Sequence, residues 1–427
     1  MQQIEQPFTR FESKNNTLLP WIVCFTASLF FFYEFIQGNM FASIADNIMH
    51  DFEIRADKMT YLSSIYYLSN VASLFFAGML LDRYSTKKIL VTAMICCVLS
   101  TFILAHAQSF YLALGCRFVT GIGSAFCLLG PIRIASHWFP PHRMALVTGS
   151  IVTMAMTGGM IAQYPLTKLV IQFGWRQSLI IVACLGVSIV ITMIYAVKDK
   201  PEGYQAVFRK IQTVRPISNY SYLNSQTLRA ALYASLMNMA VAIYGAMMGS
   251  LYLMQRLGVS KEQAALVNSM LFLGAILGGP LIGWCSDRLA LRTLPMKVGA
   301  MVSLLTMLVI LYVPVSLGCM GLLFFLLGFF TAAQVISYAL VAESSAPEMT
   351  AKAVSIVSIF TQGGYIVYQN LFSYFLQQHG GLQIINDVPV YSFADYQCAA
   401  IIIPLGFSLA LYVAFRLKET YCRQLHG

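Results

Sequence analysis

The chain has 427 residues, of which 58% are hydrophobic and only 10% charged, and its formal net charge is +10. A soluble globular domain carries about 25% charged residues, so this composition cannot cover a water-facing surface. That excludes the nucleic-acid partners a basic soluble protein would invite, and leaves a polytopic helical membrane protein.

Apolar runs of about 20 residues are long enough to cross the hydrocarbon core as helices. They predict twelve spans, over 18–42, 60–81, 87–107, 110–137, 144–170, 175–196, 229–254, 262–285, 297–316, 319–342, 350–376 and 396–416. A polar segment, 1–17, precedes the first, and no small-residue cleavage site follows it, so the first run is expected to remain a membrane helix. One long polar connection, 197–228, divides the spans six and six, and a tail covers 417–427. The expected organisation is therefore a six-helix bundle over 18–196 and a second over 229–416. Most Lys and Arg fall on one side of this layout, among them Arg83, Lys87, Lys88, Lys198, Lys200, Arg209, Lys210, Arg288, Arg292 and Arg416. The positive-inside bias predicts both termini in the cytoplasm and accounts for the basic balance; the expected location is a bacterial inner membrane.

The first span holds Glu34 amid "FFFYEFIQGNMF" (30–41), the one carboxylate well inside a predicted span. A charged side chain at that depth costs at least about 2.5–3.5 kcal/mol on insertion scales, so its presence points to a function. Depth suggests a partner. Glu34 lies about 24 Å from the cytoplasmic end of its span, and Arg117 about 10 Å from the outer end of span four, at 1.5 Å per residue. Both then sit in the outer half of the core, and contact is expected directly or through water. An apolar wall favours the neutral acid and a nearby cation the carboxylate. Cavity closure or substrate binding that alters the contact with Arg117 would load and unload a proton at Glu34. A permanent ion pair that only fixes helix packing is the alternative.

Arg133, near the cytoplasmic end of span four, either snorkels to the interface or faces a cavity and attracts a carboxylate or phosphate. Ten cysteines lie mostly within apolar runs in no metal-binding pattern, and read as small core residues. The six histidines lie at span ends or in loops. No nucleotide-binding loop, metal site, cofactor site or catalytic constellation is expected. Gly274 and Gly278 of "GAILGG" read as close helix packing.

The halves repeat. "GMLLDR" (78–83) and "GWCSDR" (283–288) are 205 residues apart, as are Gly158-Gly159 and Gly363-Gly364, while Pro140 and Pro347 are 207 apart. Parallel repeats of this kind enclose a substrate site at their interface near the bilayer midplane.

With these motifs in place, the sequence resembles the major facilitator superfamily. "GMLLDRYSTKK" (78–88) is similar to that family's cytoplasmic loop motif, carried by Gly78, Asp82, Arg83, Lys87 and Lys88. Gly283, Asp287, Arg288 and Arg292 form a degraded copy. "RFVTGIGSA" (117–125) resembles the helix-four motif and "FGWRQSLII" (173–181) the entry to helix six. The helix-five motif of drug antiporters is absent: Gly149, Gly158 and Gly159 are present without a Gly-Pro pair, which argues against drug efflux. "FFFYEFIQGNMF" with the Gln- and Tyr-rich spans ten and eleven is also similar to bacterial importers of the phagosomal nutrient transporter type.

The resemblance implies an all-α fold of two pseudo-symmetric six-helix bundles working by alternating access. Helices one, four, seven and ten would line the cavity, flanked by two, five, eight and eleven. The polar and aromatic residues there are Tyr33, Gln37, Tyr67, Asn70, Gln163, Tyr164, Asn238, Tyr244, Asn268, Gln334, Tyr338, Gln362 and Tyr365; for any one of them an interhelical hydrogen bond is the alternative. Asp82 and its basic neighbours would latch the halves at the cytoplasmic side. The expected function is a monomeric, proton-coupled importer of a small polar or zwitterionic nutrient such as an amino acid or nucleoside. The alternatives are transport of an anionic carboxylate or siderophore, export of a metabolite, or a non-transporting membrane receptor.

Overall fold

The computed structural model describes residues 18–139, 143–201, 224–345, 350–379, 383–385 and 388–423. Its helices are α1 (Leu19–Asn39), α2 (Phe41–Asp51), α3 (Ala56–Arg83), α4 (Thr86–Ala105), α5 (Phe110–Ser124), α6 (Leu129–Trp138), α7 (Met144–Ile161), α8 (Tyr164–Ala196) and α9 (Ser225–Met237). They continue as α10 (Gly249–Leu257), α11 (Lys261–Leu289), α12 (Thr293–Tyr312), α13 (Leu317–Thr331), α14 (Ile336–Ser344), α15 (Thr350–His379), α16 (Phe393–Ala400) and α17 (Ile402–Arg416). The helical plan has one addition, a hairpin of β1 (Gln383–Ile385) and β2 (Val388–Val390) between α15 and α16.

Among the described residues, nine stretches are long and apolar enough to cross a membrane. The longest, Leu146–Ala196, holds two crossings, because Gly174 sits at φ +80° and breaks α8 in the way only a residue without Cβ adopts at no strain. Adding α3 and α15 gives the twelve predicted spans, so the chain is a multi-pass membrane protein. α3 and α15 pack on each other across the two halves. α7 and α11 form the other long contact between the halves.

The spans expected around the central axis are all interrupted: the first at Met40, the fourth between α5 and α6, the seventh by a π-helical segment (Val241–Met248) and the tenth by a 3-10 turn (Ala332–Val335). Irregular backbone at membrane depth survives where protein, not lipid, surrounds it. The first span also runs on through α2 to Asp51, beyond the predicted end at 42. The polar run that looked like a loop is a helix, and Glu34 moves from the outer half to near the middle of the span.

The internal repeat is visible as equivalent close approaches. A Cβ on Gly121 of α5 would lie 2.2 Å from the Tyr66 carbonyl of α3, and one on Gly328 of α13 would lie 1.8 Å from the Leu271 carbonyl of α11. A Cβ on Gly158 of α7 would meet the Phe32 carbonyl of α1 at 2.1 Å, and one on Gly364 of α15 would meet Ser235 Oγ of α9 at 2.3 Å. Gly274 and Gly278 bring α11 onto Phe325 and Phe329 of α13, as predicted from "GAILGG". Pro140 and Pro347 lie outside the described residues.

The end of the bundle that carries Arg83 and Asp199 is here termed the linker end, and the opposite one the far end. At the linker end each half closes with a carboxylate that caps its third span. Asp199, after α8, accepts from Ser85 Oγ (2.5 Å) and the Lys87 backbone N–H (2.6 Å). Glu419, after α17, accepts from the backbone N–H groups of Arg292 (2.7 Å) and Thr293 (2.8 Å) and from Thr293 Oγ1 (2.7 Å). Burial alone would raise the Glu419 carboxyl, but the bonds from Thr293 and from the backbone N–H groups of Arg292, Thr293 and Tyr421 outweigh it and hold it below the usual carboxylate range. A carboxylate depressed in this way stabilises the fold above its unfolded value and loses that contribution as pH falls through the folded one. Glu419→Gln is expected to cost about 1–2 kcal/mol near neutral pH, with a smaller deficit in acid, read from thermal melting of the detergent-purified protein. An equal deficit at both pH values would show that charge is not the source.

Candidate functional site

Glu34 is fully buried on α1. Tyr66 of α3 donates to its Oε2 at 3.1 Å, and Cys97 of α4 faces the same carboxyl. Arg117 of α5, also fully buried, donates from NH1 to the Gln37 carbonyl (3.0 Å) and from Nε to the Leu62 carbonyl (3.2 Å). Its guanidinium lies over the rings of Tyr66, 4.5 Å from the centroid, and Phe41, 4.8 Å away. The predicted neighbours thus share one site, without a direct ion pair; a side chain links them. It is Tyr66, whose hydroxyl holds the acid while its ring face holds the cation. An aromatic face attracts a desolvated cation by about 2 kcal/mol or more, which helps Arg117 to remain at this depth without a carboxylate in contact. Glu34 Oε1, Gln37 Nε2 and Arg117 NH2 have no hydrogen-bond partner among the described residues. A carboxyl oxygen and two donors are therefore available here for a proton or a polar group.

Tyr66 gave no signal in the sequence beyond the Tyr66-Tyr67 doublet, since an aromatic in a span carries no mark of its direction. Gly121 fixes its place by letting α5 press on its backbone. Gly38 leaves room on the other side: a Cβ there would lie 3.3 Å from the Tyr67 hydroxyl and 3.7 Å from the Tyr66 ring. Tyr67 donates to the Gly38 carbonyl (3.1 Å), and its ring meets Tyr365 of α15 at 4.5 Å.

Several residues expected to line a cavity do something else. Tyr33 turns into its own half, donating to Thr101 Oγ1 of α4 (3.1 Å) and lying against Gly186 of α8. Gln163 and Asn268, both fully buried, join the halves at the far end. Asn268 Nδ2 donates to Gln163 Oε1 (2.6 Å) and to the Tyr244 carbonyl (2.9 Å), and Gln163 Nε2 donates to the Gly245 carbonyl (2.9 Å). The two carbonyls belong to the π-helical segment, and that of Tyr244 also accepts from the Gly249 N–H. The Tyr244 ring stacks on Tyr252 at 4.9 Å, turned to its own half. Toward the rim Ser269 accepts from the Tyr164 N–H (3.2 Å), the Tyr164 hydroxyl donates to Glu262 (3.1 Å), and Lys261 binds Asp46 (2.6 and 2.8 Å) and Asn47 (2.9 Å). These residues seal the far end.

Asn238 and Gln334 pair through their side-chain amides, with Gln334 Nε2 donating to Asn238 Oδ1 at 3.1 Å. Tyr338, one turn beyond Gln334, faces Ser358 and Thr361 of α15. Gln334, Tyr338 and Gln362 are half-buried, and so is Arg133 on α6.

In the loop motif, Lys87 Nζ donates to the Ile194 carbonyl (2.6 Å), Arg83 and Lys88 are exposed, and a Cβ on Gly78 or Gly283 would meet nothing within 4 Å. In the second copy Asp287 takes a bond from Arg292 (2.6 Å), which also binds Glu343 at 2.6 Å, and Arg288 lies over Trp284. The contacts of Lys87, Asp287 and Arg288 all lie within one half, so they do not form the latch expected of them. The side chain of Asp82 lies outside the described residues.

A model of the Major Facilitator Superfamily matches residues 23–249 and again 230–421, one match for each half. The chain belongs to this superfamily. It is a transporter by family, and its all-α fold of paired six-helix bundles is the one the resemblance implied. It is 22% identical over 296 residues, 66% of this chain and 67% of the relative, to a probable sulfoacetate transporter of Cupriavidus necator. It is 22% identical over 264 residues, 61% of this chain and 63% of the relative, to a hexuronate transporter of Bacillus subtilis. The matched stretch thus spans about two thirds of these curated relatives' length. Among solved structures, a bacterial homologue of the human lysosomal transporter Spinster, inward-facing and occupied, superposes with a TM-score of 0.74 at 18% identity over 94% of this chain and 97% of that one.

Proposed function

We propose that this superfamily member is a proton-coupled symporter that imports a small polar metabolite bearing a carboxylate across a bacterial inner membrane, with both termini cytoplasmic and the monomer as the working unit. The observation that carries the reading is the Glu34–Tyr66–Arg117 cluster. It holds an acid, a cation and a hydroxyl at membrane depth, with one carboxyl oxygen open to a proton.

The acid has two stable conditions. Charged, it is favoured by the Tyr66 hydroxyl and by the field of Arg117; neutral, it is favoured by its buried surroundings. A rearrangement that withdraws the hydroxyl or the guanidinium tips the balance, so proton uptake and release follow the opening of one end and then the other. The metabolite's carboxylate is supported by the cations at membrane depth, Arg117 and Arg133. It is also supported by the names of the two relatives, since sulfoacetate and hexuronates are small organic anions. An amino acid shares the carboxylate and stays within the reading.

Uptake into proteoliposomes tests it, with sulfoacetate, glucuronate, labelled amino acids and a nucleoside as probes and an inside-alkaline gradient imposed. Accumulation of a carboxylate-bearing probe that collapses with a protonophore is the expected result. Accumulation indifferent to the protonophore would remove the proton, and preference for the nucleoside would remove the carboxylate. Binding without any flux would leave a receptor.

A further inference from the structure

The proton site lies wholly in the first half, yet a symporter's proton affinity must follow the position of the second half. We propose that Tyr67 and Tyr365 are positioning residues that carry this motion: an aromatic stack across the α3–α15 boundary that sets Tyr66, and through it the Glu34 carboxyl. The inference rests on Glu34 being the coupling group.

The stack joins two rigid bodies. Tyr365 is on α15, which is tied to its own half: Ser235 Oγ of α9 donates to the Phe360 carbonyl at 2.8 Å and shares a bond of 2.8 Å with the Tyr368 hydroxyl, and Gln369 donates to the Ala242 carbonyl at 3.0 Å. Tyr67 is on α3, which is tied to the first half through the Arg117 bond to the Leu62 carbonyl and the Gly121 contact. When one half turns against the other, the displacement falls between these two rings, whose centroids are 4.5 Å apart and whose planes differ by 34°.

From Tyr67 the path is short. Its ring meets Tyr66 edge-on, 5.0 Å apart at 86°, and its hydroxyl holds the Gly38 carbonyl, one turn along α1 from Glu34. Tyr66 then touches both members of the pair, the acid through its hydroxyl and the cation through its face. Each ring has only two side-chain torsions, so a shift of the first is passed on and not absorbed. A stack of this kind is worth up to about tenfold in a two-state equilibrium, enough to bias a proton affinity.

The test needs no substrate. The groups facing Glu34 are Tyr66 of α3, Arg117 of α5, Cys97 of α4, Cys127 of the α5–α6 turn and Tyr33 on its own helix. Of these groups Glu34 alone gives a carboxyl band in infrared difference spectra, and Glu34→Gln identifies it. In Tyr365→Leu the pH midpoint of that band is expected to move by at least about half a unit, roughly threefold in proton affinity, while Tyr365→Phe, which keeps the ring, leaves it in place. Tyr67→Phe keeps the stack but loses the Gly38 bond, and is expected to move the midpoint as Tyr365→Leu does. An unmoved midpoint in a folded Tyr365→Leu or Tyr67→Phe protein overturns the relay while leaving Glu34 its role. A wild-type spectrum with no titrating band that Glu34→Gln removes overturns the coupling role itself.

Discussion

Replacing Glu34 by glutamine is expected to abolish accumulation against a gradient while leaving counterflow exchange within about twofold of wild type. A gradient of one pH unit is worth about 1.4 kcal/mol per coupled proton, tenfold in accumulation at equilibrium, and the variant should lose all of it. The substitution suits the test because little else changes. Glutamine has nearly the same shape, and its carbonyl oxygen can still accept from the Tyr66 hydroxyl, which now lies 3.1 Å from the carboxyl. Arg117 keeps its two carbonyl acceptors and its two rings. The burial of an ionisable group, costing at least about 2.5–3.5 kcal/mol when charged, is removed, so folding should not suffer. Exchange at equal concentrations needs only that the loaded carrier turn over, which a permanently neutral side chain permits. Full accumulation by this variant would leave the acid a packing role; loss of exchange together with accumulation would place it in substrate binding.

The parts of this molecule legible in its sequence are those written in transfer free energy. Twelve spans follow from hydropathy, and Glu34 and Arg117 stand out because a charge in an apolar run is costly wherever its helix turns. Their proximity followed from counting residues. Direction and state leave no such mark. Nothing in the type of Tyr66 distinguishes an aromatic that bridges an acid and a cation from one left exposed, as Tyr61 is on the same helix with 51% of its surface accessible. The run after Ala42 read as a loop because Asp46 and Asn47 are polar, yet both are met by Lys261 from the other half, a partner some two hundred residues away. Gln163 and Asn268 were marked as cavity-lining residues, but a pair that seals and a pair that binds solute have the same composition. The caps by Asp199 and Glu419 were missed because each lies just beyond the last span of its half, where a carboxylate looks like ordinary loop.

The seal at the far end yields the other large expected effect, on conformation. Asn268→Leu removes the bonds to Gln163 and to the Tyr244 carbonyl; the carbonyl keeps the Gly249 N–H as donor, but Gln163 Oε1 is left buried without one. A buried acceptor orphaned in this way costs about 1–3 kcal/mol while the seal stays closed, and nothing once the far end opens and water reaches it. The closed state should therefore lose about 1–3 kcal/mol relative to the open one, some five- to 150-fold in their ratio. Lys261→Gln breaks a pair at the rim, where Asp46 is 36% exposed; exposed pairs are worth about 0–1 kcal/mol, so its effect should be several times smaller. Spin labels at the exposed positions His50 and Gln263, one in each half, report the change: the long-distance population should grow strongly in Asn268→Leu and slightly in Lys261→Gln. The order of the two matters more than either size. If the rim variant opens the far end further than the buried one, long-range charge and not the amide knot on the π-helical segment keeps the halves together there, and the strength of the seal should then fall with salt.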